Sequence, residues 1–300
     1  MRTIRLKAED KNFGFKRILF LRYIYFFLNK IMSVPFSSCF SFNCTNKSIP
    51  VENDCLDIVV IAFNEHSLLK LQIEQLRKHL KGINFTFFVA DNSSQVVEQK
   101  KIQDICKDEN IGYIKLPKSK ELDKRGSYSH GAALNWVYYH FIRPRNAKYF
   151  SFLDHDIFPT KDICIKEKIV SHRFYGRLRI DPPGFYYLWP GISFWESSYL
   201  TNVQVNFMPC KIEGKYLDTG GSMWPIFFEK IPRKNILMPT FYRIPLEEFG
   251  YDESDFVDFF DDCWFHARYT GKKNNNILTI KEIIQNHENL KNRLIEKWIW

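Results

Sequence analysis

The chain has 300 residues, 45% of them hydrophobic and 26% charged. That is ordinary globular composition, in a length that buries a large core. Its net charge of +9 is unevenly placed: residues 1–50 hold nine Lys/Arg and two acids, a net +7, which leaves +2 for the other 250 residues. A body without a broad basic face is unsuited to duplex binding, so no nucleic-acid partner is expected.

Seven scattered cysteines (Cys39, Cys44, Cys55, Cys106, Cys164, Cys210, Cys263), odd in number and with no C-x-x-C pair, read as reduced, mostly buried thiols of a cytosolic protein. A structural zinc site is disfavoured. Residues 13–32, FGFKRILFLRYIYFFLNKIM, are aromatic with basic punctuation, and the uninterrupted apolar run Tyr23–Leu28 is far too short to cross a bilayer. No small-residue cleavage site follows, which disfavours a cleaved signal peptide. Two readings stand: a helix lying on an anionic membrane surface, or a helix packed on the main domain. Ser, Asn and Cys then mark 33–54 as a linker, so 1–53 is taken as a basic aromatic arm, 54–271 as the main domain and 272–300 as a helical tail.

Leu56–Phe63, LDIVVIAF, has the continuous Val/Ile content of a central parallel strand covered on both faces. A helix to about Leu80 follows, with Leu69, Ile73, Leu76 and Leu80 on one face. A second strand, Asn84–Ala90, a polar helix over 97–109 and a third strand, Ile111–Leu116, complete a strand–helix–strand–helix–strand series. That series predicts an α/β doubly wound, mostly parallel sheet flanked by helices. The first turn has no G-x-G-x-x-G and the chain no G-x-x-x-x-G-K-[ST], which disfavours dinucleotide dehydrogenases and P-loop enzymes.

Arg125, Gly126 and Gly131 read as a flexible basic loop leading into a helix from Ala132 to Phe141; the small residues suit either a pyrophosphate or tight helix packing. The apolar run Tyr149–Leu153 then ends abruptly in Asp154-His155-Asp156. Ligands bind outside the carboxyl ends of such strands, and two carboxylates there hold a divalent cation against a phosphate-bearing substrate; a solvated turn is the plainer reading. Over 172–217 aromatics alternate with Gly and Pro, which predicts irregular strands and loops walling a groove. Asp218, before Gly220 and Gly221, is either a helix cap or a positioned base. Residues 247–262 are so acidic that they read as too charged for a tight core. His266, between aromatics and followed by Arg268, is either a structural residue or a return to the metal site. The tail carries Ile280, Ile283, Ile284, Leu290, Leu294 and Trp298 as the apolar positions of an amphipathic helix.

In order and spacing, IVVIAFNE at 58–65, FFVADNSS at 87–94, the stretch from Gly126 to Asn135 and FLDHD at 152–156 resemble the GT-A nucleotide-sugar glycosyltransferases, most closely family 2, typified by bacterial polysaccharide and lipopolysaccharide enzymes. The resemblance spans roughly 55–270. It implies a metal-dependent, inverting transfer from a nucleotide-sugar, usually a UDP-sugar, to a glycan or lipid-linked acceptor. Together with the reduced thiols, this reads as a cytoplasmic enzyme, peripheral on the inner membrane face if the 13–32 stretch binds there. Phe63, Asn64 and Glu65 would line the base and ribose pocket, and Asp91 would bond the nucleobase. The 125–135 segment, with Arg125, His130 and Asn135, would cover ribose and pyrophosphate. Asp154 and Asp156 would bind ribose and Mn²⁺ or Mg²⁺, with His266 as a third metal or pyrophosphate contact.

The chain departs from the family in lacking a clean Glu-Asp base dipeptide, which leaves Asp218 as the base candidate with Asp261 or Asp262 in reserve. It also lacks Q-x-x-R-W, which disfavours a processive synthase. Two other classes compete: a nucleotidyltransferase, which would need a Gly-rich basic first turn in place of FNEHS, and a non-catalytic membrane-associated nucleotide-sugar-binding protein, which would lose the acids.

Overall fold

The computed structural model describes residues 40–41, 54–117, 126–180, 184–247, 256–268, 280–286 and 289. The chain divides into units Met1–Cys39 and Phe40–Trp300, and all described residues lie in the second. The predicted 13–32 helix, Arg125 and most of the predicted tail fall outside them.

Strand β1 (Leu56–Ala62) is buried along its whole length, as its unbroken apolar run requires. It is followed by α1 (Ser67–His79), β2 (Phe85–Asp91), α2 (Val96–Asp108) and β3 (Gly112–Lys115). Helix α3 (Gly126–Val137) continues through a π-helical stretch, Tyr138–Ile142, and leads to β4 (Tyr149–Asp154) and β5 (Ile157–Pro159). Helix α4 (Ile165–His172), β6 (Phe174–Arg179) and the ten-residue β7 (Tyr187–Glu196) come next. Beyond them lie β8 (Phe241–Pro245), β9 (Phe256–Phe260) and β10 (Trp264–His266).

The central sheet has eight strands in the order Phe40–Ser41, β3, β2, β1, β4, β7, β6, Ile236–Leu237. The β3–β2, β2–β1, β1–β4 and β6–Ile236 pairs are parallel, and β7 runs antiparallel to both its neighbours. The predicted α/β class therefore holds: a large, mostly parallel sheet flanked by helices. The chain steps outward from β1 to β2 to β3, then returns to the other side of β1 with β4. That reversal is the switch point at which such sheets open a crevice.

Both faces of the sheet are covered. Leu56, Ile58 and Val60 of β1 and Leu153 of β4 pack in one cluster with Leu69, Ile73, Ile102 and Ile169 from α1, α2 and α4. On the other face Phe150 and Trp195 stack with centroids 6.0 Å apart, and Phe207 meets Phe152 at 5.3 Å. Each such buried ring contributes on the order of 1.5–3 kcal/mol.

A second sheet, β8–β9–β10–β5, is wholly antiparallel. Its apolar cluster takes in Leu68 and Leu71 of α1 and, from the tail, Ile280 and Ile283 of a helical segment over 280–286. Among the described residues no helix is long and apolar enough to cross a membrane.

Three expectations are corrected. Gly126 to Gly131 is the first part of α3, not a loop. The glycine at 131 lets that helix lie against Phe207 and Met208, since a Cβ there would come within 2.9 Å of the Phe207 carbonyl. Within 172–217, Phe174–Arg179 and Tyr187–Glu196 are full strands of the main sheet, irregular only where the β6–β7 register shifts at Pro190 and Gly191, which is where a strand tolerates them. The acidic stretch contains a buried strand, β9, with Asp258 fully inside it.

Candidate active site

The site gathers at the carboxyl ends of β1, β2 and β4. Asp154 closes β4 beside Ile61 of β1, and Asp156 opens the turn into β5. This two-residue corner between the sheets is pinned from below by Gln72 of α1. Its buried Nε2 donates to the carbonyls of Asp154, at 2.8 Å, and Ile157, at 2.6 Å. Ala267 N–H donates to the Asp156 carbonyl at 3.0 Å, so β10 fixes the same turn from the other sheet.

Two histidines converge on the two carboxylates. His130 of α3 places Nε2 3.4 Å from Asp154 Oδ1, and His266 of β10 places Nε2 3.6 Å from Asp156 Oδ2. Burial, opposed by His130 and reinforced by Asp156, raises the Asp154 carboxyl above its ordinary range. Asp156 and His266 are both buried, and they set a carboxylate oxygen and an imidazole nitrogen, two donors to divalent cations, side by side. Among the described residues no group of three His, Cys, Asp or Glu side chains is drawn together as a metal cage. A nucleotide-bound Mn²⁺ or Mg²⁺ needs less than that, because it keeps waters and takes phosphate oxygens alongside one or two protein ligands. The Asp156–His266 pair fits such an ion.

The crevice lip is built from β1 and β2. Phe63 presents its ring at the mouth, 40% exposed. Asn64 adopts a left-handed backbone, φ 51°, and its Oδ1 accepts from the N–H groups of Ser94 and Gln95, while its own N–H donates to Ser93 Oγ at 2.8 Å. It clamps the two strand ends together. Glu65 accepts from the Ser67 N–H and hydroxyl and so caps α1. Asp91 is buried: Oδ1 accepts from Ser93 N–H and Oδ2 from the Tyr113 hydroxyl, each at 2.8 Å. Asn135 binds α3 to the 206–207 segment, donating to Asn206 Oδ1 and accepting from Phe207 N–H. Of the residues expected to touch a donor, Phe63, His130 and Asp154 therefore border the crevice, while Asn64, Glu65, Asp91 and Asn135 are engaged in bracing it.

Asp218 lies in a turn joined to the start of α3 by the Thr219 hydroxyl, which donates to the Ser127 carbonyl at 3.1 Å. Its Oδ2 is 3.3 Å from Arg179, and its Oδ1 has no hydrogen-bond partner. Asp261 is drawn elsewhere, to Lys168 at 2.8 Å and the Tyr175 hydroxyl at 3.1 Å, in the β9–β10 turn shared with Asp262. That turn is at the end of β10 away from His266.

Beside His266 opens a cavity of about 430 Å³ lined by Arg177, Arg179, Arg243, Arg268, Trp189 and His266, with Leu178 and Ile180. Buried Asp258 lies under it: Arg268 donates at 2.8 Å and Arg243 at 3.1 Å, and His266 Nδ1 is 3.6 Å away. Burial alone would raise the Asp258 carboxyl, but the neighbouring His266 imidazole and the hydrogen bond from Arg268 more than offset it and hold the group below its usual range. Sequence reading passed over this cluster. Arg177 and Arg179, two apart on a strand and so on one face, were the available signal, with the lone acid inside FVDFF as the second.

No family model matches the chain, and no curated protein does. Among solved structures, S. aureus TarS is similar over 51% of this chain and 30% of its own length, at 14% identity and a TM-score of 0.34. The chain thus spans under a third of that protein.

Proposed function

We propose that the chain is a nucleotide-sugar glycosyltransferase of GT-A type, with a metal-assisted, inverting transfer from a UDP-type donor to a glycan or lipid-linked saccharide. The observation that carries this reading is the convergence of Asp154 and Asp156 with His130 and His266 at the switch point of the sheet. Phe63 offers an exposed ring for the base on the β1 side. Asp154 and His130 stand where the ribose and diphosphate would pass. Asp156 and His266 would hold Mn²⁺ or Mg²⁺, which when bound offsets charge on the departing diphosphate. Asp218 Oδ1 has no hydrogen-bond partner among the described residues, so it is able to accept from an acceptor hydroxyl brought within reach. In this reading the basic aromatic stretch 13–32 gives the enzyme a peripheral hold on an anionic membrane.

The test is release of nucleoside diphosphate from a panel of nucleotide-sugars with Mn²⁺ or with EDTA, alongside equilibrium binding of UDP. Asp156→Asn is expected to lose both metal-dependent release and metal-dependent UDP binding; full metal-dependent transfer by that variant would sink the proposal. Asp218→Asn is expected to keep UDP binding and to lose about 10²–10⁴-fold in kcat.

A further inference from the structure

We infer that the arginine-walled cavity is the subsite for a phosphate group carried by the acceptor, so that the acceptor is a phosphate-bearing saccharide. Calling the ligand an acceptor rests on the transferase reading; the anion site itself does not.

The argument begins with charge. Four guanidinium groups, from Arg177, Arg179, Arg243 and Arg268, line one cavity. Arg177, Arg243 and Arg268 share one carboxylate, Asp258, and Arg179 lies 3.3 Å from Asp218. One carboxylate accepts at most two good guanidinium forks, so three around Asp258 leave donors directed into the cavity. Three guanidinium charges around the single Asp258 carboxylate leave positive charge in excess in a partly desolvated pocket, which matches a phosphate. A single carboxylate would need one fork only.

The arginines are also held in place. Arg177 lies over Trp189, Phe241 and Phe260 at 5.3, 5.1 and 5.6 Å, and Arg243 and Arg268 lie over Phe256 at 4.3 and 4.4 Å. A guanidinium stacked in this way has lost much of its freedom before any ligand arrives, which favours binding. Trp189 lines the same wall.

Position separates this cavity from the donor crevice. Strand β6 runs in the same direction as β4 and lies two strands away, about 10 Å, so Arg179 reaches the same carboxyl edge of the sheet as Asp154. The nucleotide lip, Phe63 and Asn64, is on the opposite side of Asp154, toward β1 and β2. His266 joins the two regions, touching Asp156 while lining the cavity. Asp218 meets Arg179 at its edge. An acceptor held by its phosphate here would place a hydroxyl between Asp218 and the metal pair, across from the leaving diphosphate.

The experiment is titration calorimetry on the full chain at fixed ionic strength with glucose 6-phosphate, glucuronate and methyl glucoside, and separately with UDP plus Mn²⁺. The variants are Arg179→Gln and Arg243→Gln, with melting temperature checked for each. Glucose 6-phosphate is expected to bind more tightly than glucuronate, methyl glucoside is expected not to register, and each variant is expected to weaken the sugar phosphate about ten- to a hundredfold. UDP binding is expected to change less than twofold. Equal loss of UDP binding would reassign the arginines to the donor and overturn the inference. Binding of glucuronate as tight as the sugar phosphate, or indifference of the folded variants to it, would overturn it too. Arginine-dependent sugar-phosphate binding in a chain that binds no nucleotide would uphold the subsite and reject the transferase reading instead.

Discussion

Asn64 is the residue on which the lip of the crevice depends. A left-handed backbone costs a residue with a Cβ about 1–3 kcal/mol in a sparsely populated region, and Asn bears it best because its short amide bonds locally. Here that amide accepts from two N–H groups ahead of α2. Asn64→Ala should cost about 1–3 kcal/mol through strain and lost bonds, and Asn64→Gly should cost less, because glycine removes the strain and keeps only the loss of bonds. Denaturant unfolding of both variants checks this; equal losses would show that the backbone conformation contributes nothing. At this scale the carboxylates of the site were visible in the sequence, because Asp154 and Asp156 interrupt an apolar run. Their bracing was not. Asp57 stands as conspicuously inside LDIVVIAF, yet its partner Arg145 is 88 residues further on and binds it at 2.7 Å through folding alone. Asp91 shows the converse: a strand-end acid reads as a ligand contact, and its two internal hydrogen bonds, one of them to Tyr113, became visible only once β3 was in place beside β2.

Among the elements, β1, β2, α1 and α2 were legible to within a residue or two: β1 and β2 from their continuous apolar runs, α1 from the apolar spacing of one face, and α2 as the polar stretch between two strands. Strands β6 and β7 were not, because the signals that end a strand, Gly and Pro, here make a bulge within one. Gly176 has φ 149°, and an added Cβ would run into the Ile192 carbonyl and the Ser193 Cα of the neighbouring strand. Gly176→Ala should therefore destabilise by about 1–3 kcal/mol through overpacking. Arg177 and Arg179 follow on the same strand, so the variant should also weaken sugar-phosphate binding while UDP binding holds. Thermal unfolding and the two titrations read the pair of effects; an unchanged melting temperature would mean that the β6–β7 bulge tolerates a side chain. Strand β9 was hidden for another reason. The acids around it look solvated in sequence, and only the arginines of β6, β8 and the 268 position make the burial of Asp258 affordable.

At the scale of the molecule, the two sheets meet at the His155 corner and the site is assembled across it. Asp154 belongs to the first sheet, whereas His266, Arg243 and Asp258 belong to the second, held in register by the pairing of Ile157 with His266 and of Asp258 with His266. The second sheet is fastened by its own apolar cluster, in which Phe265 packs on Phe158 and Phe259, each at 5.3 Å. Phe265→Ala should cost about 3–5 kcal/mol, and Ile102→Ala, in the cluster under α2, about 2–5 kcal/mol. Stability alone would make these variants similar. Function should separate them. Well below both melting temperatures, Phe265→Ala should weaken both Mn²⁺-dependent UDP binding and sugar-phosphate binding, because β10 carries His266 and orders Asp258 under the arginines. Ile102→Ala should leave both intact, because nothing in the crevice or the cavity rests on α2 through that side chain. If the two variants lose binding in equal measure, the second sheet is a stabilising flank and the metal pair does not depend on it. If only Phe265→Ala loses binding, the corner that carries Asp154 and Asp156 is a joint product of two sheets, which no stretch of the sequence could have announced by itself.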